Sequence, residues 1–329
     1  MTTAEILAAF PKLSALVVGD ICLDRWCTYD PSVSEPSRET GIPRIGVVST
    51  EVTPGAGGTV ANNLAALGAG RVGVLGVRGD DGFGCELEKA LGKRGISADL
   101  LVTVRDWQTF TYTKLLNNQS AMEDQPRVDF ISTKPLPQEA EQQILNHLPV
   151  AVAAYDVILM ADQAETMAGG VVTPGVRDVI NGLAKRYPEK VFLADSRKRI
   201  DMFRHMMIKP NQQEAEAACQ KLFGLVDYQR LRQHVQAKTM MVTHGPKGVL
   251  VVEEGATDWV ETRPIGNPVD ICGAGDSFSA GTALALAVTG SPVVAARFGN
   301  LVASVTIMKK GTGTATPQEV LAAGFVTCL

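Results

Sequence analysis

The chain has 329 residues, enough for one large α/β domain or two smaller ones. Its 45 % apolar content supports a sizeable core. A net charge of −4, with acids and bases interspersed, argues against a nucleic-acid binder, and no apolar run reaches the roughly 18 residues of a membrane span.

The first segment, MTTAEILAAFPKL, lacks a basic start and a long apolar core, so it reads as a short amphipathic helix and not as an export signal. Residues 14–20, SALVVGD, form an apolar run ending in Gly-Asp, and 44–50, RIGVVST, form a second strand pattern. Residues 59–69 read as a helix with Val60, Leu64 and Leu67 on one face. RVGVLGV is a strand, and GFGCELEKALGKRG is a helix stopped by Gly95. Further on, DVILMAD, KVFLADS and TMMVTHG repeat the buried-strand theme, each followed by a helical pattern. Continuous apolar strands alternating with helices predict a parallel sheet covered on both faces.

Two stretches break this rhythm. In TFTYTKLL, residues 109–116, Phe110 and Tyr112 alternate with Thr109, Thr111 and Thr113. In PRVDFIS, residues 126–132, Val128 and Phe130 alternate with Arg127 and Asp129. Period two with a polar face predicts antiparallel strands wet on one side. These, with RIGVVST, read as a small β-lid beside the main sheet; extra edge strands of the main sheet are the other reading. An apolar lid face needs cover, so a homodimer through the lid is expected.

Ligands of open parallel sheets sit beyond the carboxyl ends of the strands. The acids there, Asp20, Asp24, Asp162 and Asp195, are expected along one rim, although a single such acid is often only a helix cap. In NPVDICGAGDSFSAG, residues 267–281, glycines leave the amides of Gly273, Ala274 and Gly275 uncovered at a helix start, a cradle for an anion. Asp276 follows in the first turn, where the helix field should keep it ionised and fit to take a proton from an attacking hydroxyl. Taken alone, the stretch reads more readily as a plain capped helix. The six cysteines, at 22, 27, 85, 219, 272 and 328, form no Cys-x-x-Cys pair, and the four histidines lack ligand spacing. No structural metal is expected, and unpaired thiols fit a reducing cytoplasm.

Five segments in order resemble the ribokinase-like, phosphofructokinase-B family of carbohydrate kinases. They are PGAGGTVANNLAALGA, VGVLGVRGDDGFGCEL, KPNQQEAE with Asn211 and Glu214, VTHGPKGV with Thr243, Gly245 and Gly248, and Asp270 with the turn 273–276. VVGDICLDRW, QPRVDF and VVTP are further similar to the heptose 7-phosphate kinase branch. The resemblance implies one doubly wound domain over 1–329, with lid strands from about 21–53 and 105–133. It implies ATP, Mg²⁺ and γ-phosphoryl transfer to a hydroxyl of a sugar or sugar phosphate, D-glycero-D-manno-heptose 7-phosphate among them. Asp276 would be the base and Gly273, Ala274 and Gly275 the anion hole. Asn211 and Glu214 would organise Mg²⁺, largely through water. Thr243, Gly245, Gly248, Asp270, Asn300, Ala303 and Ser304 would serve the nucleotide.

The acceptor side would comprise Asp24, Gly55, Gly57, Gly58, Thr59, Asn62, Asn63, Arg127 and Asp162. Counting from either end of the glycine-rich segment places the acceptor-binding residue at Thr59 or at Asn62. Ile271 replaces a common threonine, which bears on any monovalent-cation site nearby. DQAETMAGGVVTP carries extra residues that could reshape the acceptor pocket. Arg127, Arg197, Lys198 and Arg199 are candidate phosphate partners or solvated surface bases. A nucleoside or small-vitamin kinase of the same fold and a non-catalytic sugar-phosphate binder are the alternatives. A dinucleotide oxidoreductase is disfavoured, since no Gly-x-Gly-x-x-Gly follows a strand.

Overall fold

A computed structural model describes residues 1–164, 169–263 and 265–324. The chain opens with α1 (Thr3–Ala9), β1 (Ser14–Gly19), β2 (Ile21–Tyr29), β3 (Val47–Ala56), α2 (Gly57–Ala66), β4 (Arg71–Gly79), α3 (Gly82–Gly92) and β5 (Ile96–Val104). It continues through β6 (Thr111–Asn117), β7 (Val128–Phe130), α4 (Gln138–Ala154), β8 (Val157–Asp162), α5 (Pro174–Arg186), β9 (Val191–Ser196), β10 (Met207–Ile208), α6 (Gln212–Phe223) and α7 (Tyr228–His234). It ends with β11 (Met240–Thr243), β12 (Val249–Glu253), β13 (Ala256–Val260), α8 (Ala274–Thr289), α9 (Pro292–Thr306) and α10 (Pro317–Ala323).

Nine strands form one sheet in the order β13-β12-β11-β10-β9-β8-β1-β4-β5, parallel except for β12 and β13. The fold is therefore the expected doubly wound α/β sheet, and both of its faces carry a core. Val17 and Leu159 face the side of α2, α8 and α9, while Leu16 and Ile158 face the side of α4, α5 and α6. That two-sided burial is why these strands read as unbroken apolar runs. The short first helix is present and is closed by a capping box between Thr2 and Glu5.

The second sheet, β3-β2-β6-β7, is the lid, and it corrects three expectations. The strand expected at 44–50 begins at Val47 and runs to Ala56, because pairing with β2 starts only there. The sheet is mixed: β2 pairs antiparallel with β3 but parallel with β6. The wet face is also the opposite one. Thr109, Thr111 and Thr113 are buried, and Tyr112 and Lys114 are the half-exposed residues. Thr109 and Thr111 can be buried because their hydroxyls find partners: Thr109 Oγ1 donates to Asp81 and Thr111 Oγ1 to the Thr109 carbonyl.

Helix boundaries moved by a few residues. The helix expected at 59–69 occupies Gly57–Ala66, and α3 ends at Gly92, ahead of the left-handed Gly95.

Candidate active site

The carboxyl ends of β8 and β9 open beneath the lid onto a cavity of about 140 Å³. Asp24, Arg25, Trp26, Tyr112, Lys114 and Arg127 wall it from the lid. Gln163, Arg197, Cys272, Gly273, Asp276 and Thr312 wall it from the main sheet.

The turn before α8 is built by Gly273, which sits in the left-handed region at φ 78°. A Cβ there would lie 3.3 Å from the Thr59 methyl, so the position suits glycine on two counts. Asp270 brackets the turn: its carboxylate accepts the Cys272 amide at 2.9 Å and the Gly311 amide at 3.2 Å. The expected three-amide cradle is narrower than the sequence implied. Ala274 N–H donates back to the Ile271 carbonyl at 3.2 Å, which leaves Gly273 at the turn and Gly275 and Asp276 in the first turn, where helix amides lack intrahelical acceptors.

Asp276 lines the cavity, but the helix field does not keep it ionised as expected. Burial lifts its pKa to about 7, Asp195 and Asp24 push the same way, and Lys209 and Arg197 oppose them. Lys209, which the sequence reading passed over, is buried at the end of β10, with Nζ 2.9 Å from Asp195 Oδ2. A Cβ on Gly275 would stand 3.6 Å from the same nitrogen, so the ammonium lies against the first turn of α8. Burial would depress this lysine, but Asp195, Glu214 and Asp276 outweigh it and hold the amine charged.

Asn211 and Glu214 form a capping box on α6: Glu214 N–H donates to Asn211 Oδ1 at 2.9 Å, and Asn211 N–H to Glu214 Oε2 at 2.8 Å. Burial raises the Glu214 pKa, Asp195 adds to it, and the Asn211 amide opposes it. Among the described residues no three His, Cys, Asp or Glu side chains gather closely enough to cage a metal. Thr243 bridges to Asn211 across the sheet, and the turn after it is closed by His244 N–H to the Gly248 carbonyl at 2.8 Å. Gly245 and Gly248 both have positive φ in that turn. Asn300 reaches over from α9 to the Val260 and Glu261 carbonyls. Ala303 and Ser304 lie one turn further along α9, with Ser304 Oγ donating to the Leu301 carbonyl.

On the acceptor side, Asp24 and Thr59 line the cavity, and Arg127 stands at its rim paired with Asp129. Burial lifts Asp24 to about 6, against the pull of Lys114 and Arg127. Gly55 packs on Asp24 so closely that a Cβ would fall 2.2 Å from Oδ1. Gly57 and Gly58 pack against Ile21 and Pro54 of the protein itself. Asn62 and Asn63 are buried in α2 and absent from the cavity wall; Asn63 Nδ2 donates to the Thr59 carbonyl. Of the two registers, Thr59 is the one that reaches the cavity.

Asp162 is also absent from that wall. Its carboxylate is buried, accepting from Ser196 Oγ at 2.6 Å and forming an ion pair with Arg199. This removes Arg199 from the phosphate candidates, while Arg197 lines the cavity and donates to Gln163. Asp20 accepts the Gln163, Ala164 and Val171 amides, each at 2.8 Å, and so holds the loop after β8. Residues 165–168 of the stretch with extra residues lie outside those described. Lys114, Trp26, Gln163 and Thr312 join the site although none was named for it from the sequence; Trp26 and Gln163 lay in segments singled out above, and the alternation along 109–116 bore on Lys114.

A family model described as pfkB family carbohydrate kinase matches residues 14–319. The chain is similar to the bifunctional protein HldE of Trichlorobacter lovleyi, 32 % identical over 322 residues. It is 29 % identical over 318 residues to that of Pelobacter propionicus. Each match covers 94 % of this chain and 62 % of the relative, so the chain spans less than two thirds of their length. Among solved structures, the ribokinase of Thermotoga maritima matches with TM-score 0.68 at 20 % identity, covering 94 % of this chain and 99 % of that one. Phosphofructokinase-2 of Escherichia coli, in complex with potassium, matches with TM-score 0.69 at 18 % identity, covering 94 % and 98 %.

Proposed function

The chain belongs to the pfkB family of carbohydrate kinases and is a phosphotransferase with an alcohol acceptor, and on that premise we propose that it moves the γ-phosphoryl group of ATP to a hydroxyl of a phosphorylated sugar. D-glycero-D-manno-heptose 7-phosphate is the acceptor we favour. The motif likeness and the HldE relatives support it, and so do the bases Lys114, Arg127 and Arg197 around a cavity that holds only two acids. The observation that carries the reading is Asp276, with its pKa near 7, in the first turn of a helix whose turn glycine also touches Thr59.

In this reading the acceptor lies between Asp24 and Asp276. Asp24 accepts from one sugar hydroxyl and orients the ring. Asp276 takes the proton of the attacking hydroxyl as its oxygen bonds to the γ-phosphorus. The bond to the β,γ-bridging oxygen breaks, and ADP leaves. The Gly275 and Asp276 amides, Lys209 and Arg197 hold the charge on the transferring group. Gln163 fixes the Arg197 guanidinium through the bond to its Nε.

Mg²⁺ when bound would neutralise the phosphates. Asn211, Glu214 and neighbouring Asp195 fit a cation that keeps most of its water, because no closer cage exists among the described residues. Asp270, with both oxygens taken by amides, fits a bracket for the turn better than a ligand for a monovalent cation. Thr243, Gly245, Gly248, Asn300, Ala303 and Ser304 would flank the nucleotide.

We further infer a homodimer through the lid. Ile42, Val47, Val48, Val128 and Ile131 are exposed on it, and a second copy would cover them. No helix among the described residues is long and apolar enough to cross a membrane. The function is tested by measuring ADP release from ATP and Mg²⁺ against paired hexoses, pentoses and heptoses, free and phosphorylated, and nucleosides. A phosphorylated sugar should be the best acceptor. A nucleoside turned over faster than every sugar would replace this reading.

A further inference from the structure

The lid has a cavity on each side. Along β2, Asp24 and Trp26 point into the catalytic cavity, whereas Arg25 lines both that cavity and a second one of about 380 Å³ between the lid and α3. The second cavity is basic: Arg25, Lys89, Lys93 and Arg94 stand against Glu86 alone. Lys89 and Lys93 are one turn apart on the same helix face. Arg94 covers one of the helix-end carbonyls that would repel an anion, donating to the Ala90 oxygen at 2.9 Å.

Two polar atoms of residues lining this cavity, Arg25 Nε and Glu86 Oε2, are shielded from solvent and have no hydrogen-bond partner. They form an ion pair with each other at 3.7 Å, too long for a hydrogen bond. Buried polar atoms are ordinarily satisfied, and leaving one bare costs on the order of 1–3 kcal/mol. A guanidinium donor and a carboxylate oxygen facing one gap can be completed by a group that both accepts and donates hydrogen bonds. A partly protonated phosphate does so, and its charge would also suit Lys89 and Lys93 on the rim.

We propose that the cavity between the lid and α3 is a second anion site, taking a phosphate group of a small soluble metabolite, and that its occupancy braces the lid through Arg25. Arg25 is already stacked over the Phe83 ring of α3 at 4.7 Å, so a ligand on its Nε ties β2 to that helix. Trp26, the next residue on β2, lies against Gly311, where a Cβ would meet its ring at 3.2 Å. A shift of the lid is therefore reported by the indole.

The test is calorimetric titration of inorganic pyrophosphate into the full chain with ADP saturating, using wild type and Lys89→Gln/Lys93→Gln. The lysines are exposed, so that variant should fold normally. Pyrophosphate should bind wild type and change its tryptophan emission, a change missing from Trp26→Phe. Binding should weaken about tenfold or more in the lysine variant, with ADP affinity unaltered. No binding to wild type, or equal binding to wild type and the lysine variant, overturns the site. Binding that leaves Trp26 emission unchanged overturns the bracing.

Discussion

Lys209 Nζ lies 2.9 Å from Asp195 Oδ2, against the first turn of the helix that carries Asp276. One buried cation thus balances two acids and stands where a transferring phosphoryl group would gain charge. Lys209→Met should lower kcat by about 10²-fold or more. Because Lys209 pulls the Asp276 pKa down, its loss should move the acid limb of the kcat profile to higher pH. Stability should fall by about 1–3 kcal/mol, since the partly buried Asp195 is left without its partner. A variant that kept both turnover and the pH profile would remove Lys209 from the site.

Activity should rise with pH through about 7, because Asp276 must be ionised to take a proton. Stability should move the other way. The folded-state pKa lies above the usual 3.8, so the unfolded chain releases this proton first, and the stability that Asp276 gives at low pH is lost as pH rises toward 7. Asp276→Asn should therefore melt about 2 °C or more above wild type at pH 8, with a smaller gap at pH 5. Paired thermal melts check this; equal melting points at pH 8 would mean that the carboxylate is not held out of water.

Thr59 and Asn62 should separate cleanly. Thr59→Val preserves shape and removes a hydroxyl at the cavity wall whose bond to the Pro54 carbonyl is a long 3.3 Å, so KM for the acceptor should rise several-fold with little change in melting temperature. Asn62→Ala empties a buried position and should cost about 1–3 kcal/mol with KM little changed. Steady-state kinetics beside melts decide; the reverse pattern would restore the Asn62 register.

Val48→Glu on the exposed lid face should convert a homodimer into a monomer, measured by light scattering at micromolar concentration. Wild type that is monomeric under the same conditions would contradict lid pairing.

The main sheet was readable because burial on both faces leaves strands such as β8 with no polar residue before the terminal acid, and β1 with none after Ser14. The rim rule then located backbone positions correctly, but it could not say where a side chain turns. Asp162 ends its strand as expected and still points to Arg199, away from the cavity. The lid was found by its period of two and assigned the wrong wet face. Alternation separates the faces of a strand without saying which one is buried, and threonines bonded to Asp81 and to backbone are content inside. Lys209 was missed because one lysine before Pro-Asn makes no pattern; its meaning comes from Asp195, 14 residues earlier in sequence and adjacent only across the sheet.

The most direct measurement is turnover of Asp276→Asn beside its ATP affinity. With Asp276 as the base, phosphoryl transfer to the best acceptor should fall by about 10²–10⁴-fold while ATP binds within about twofold of wild type. A variant that retained most of its turnover would contradict the assignment, because the acceptor hydroxyl would then be losing its proton elsewhere.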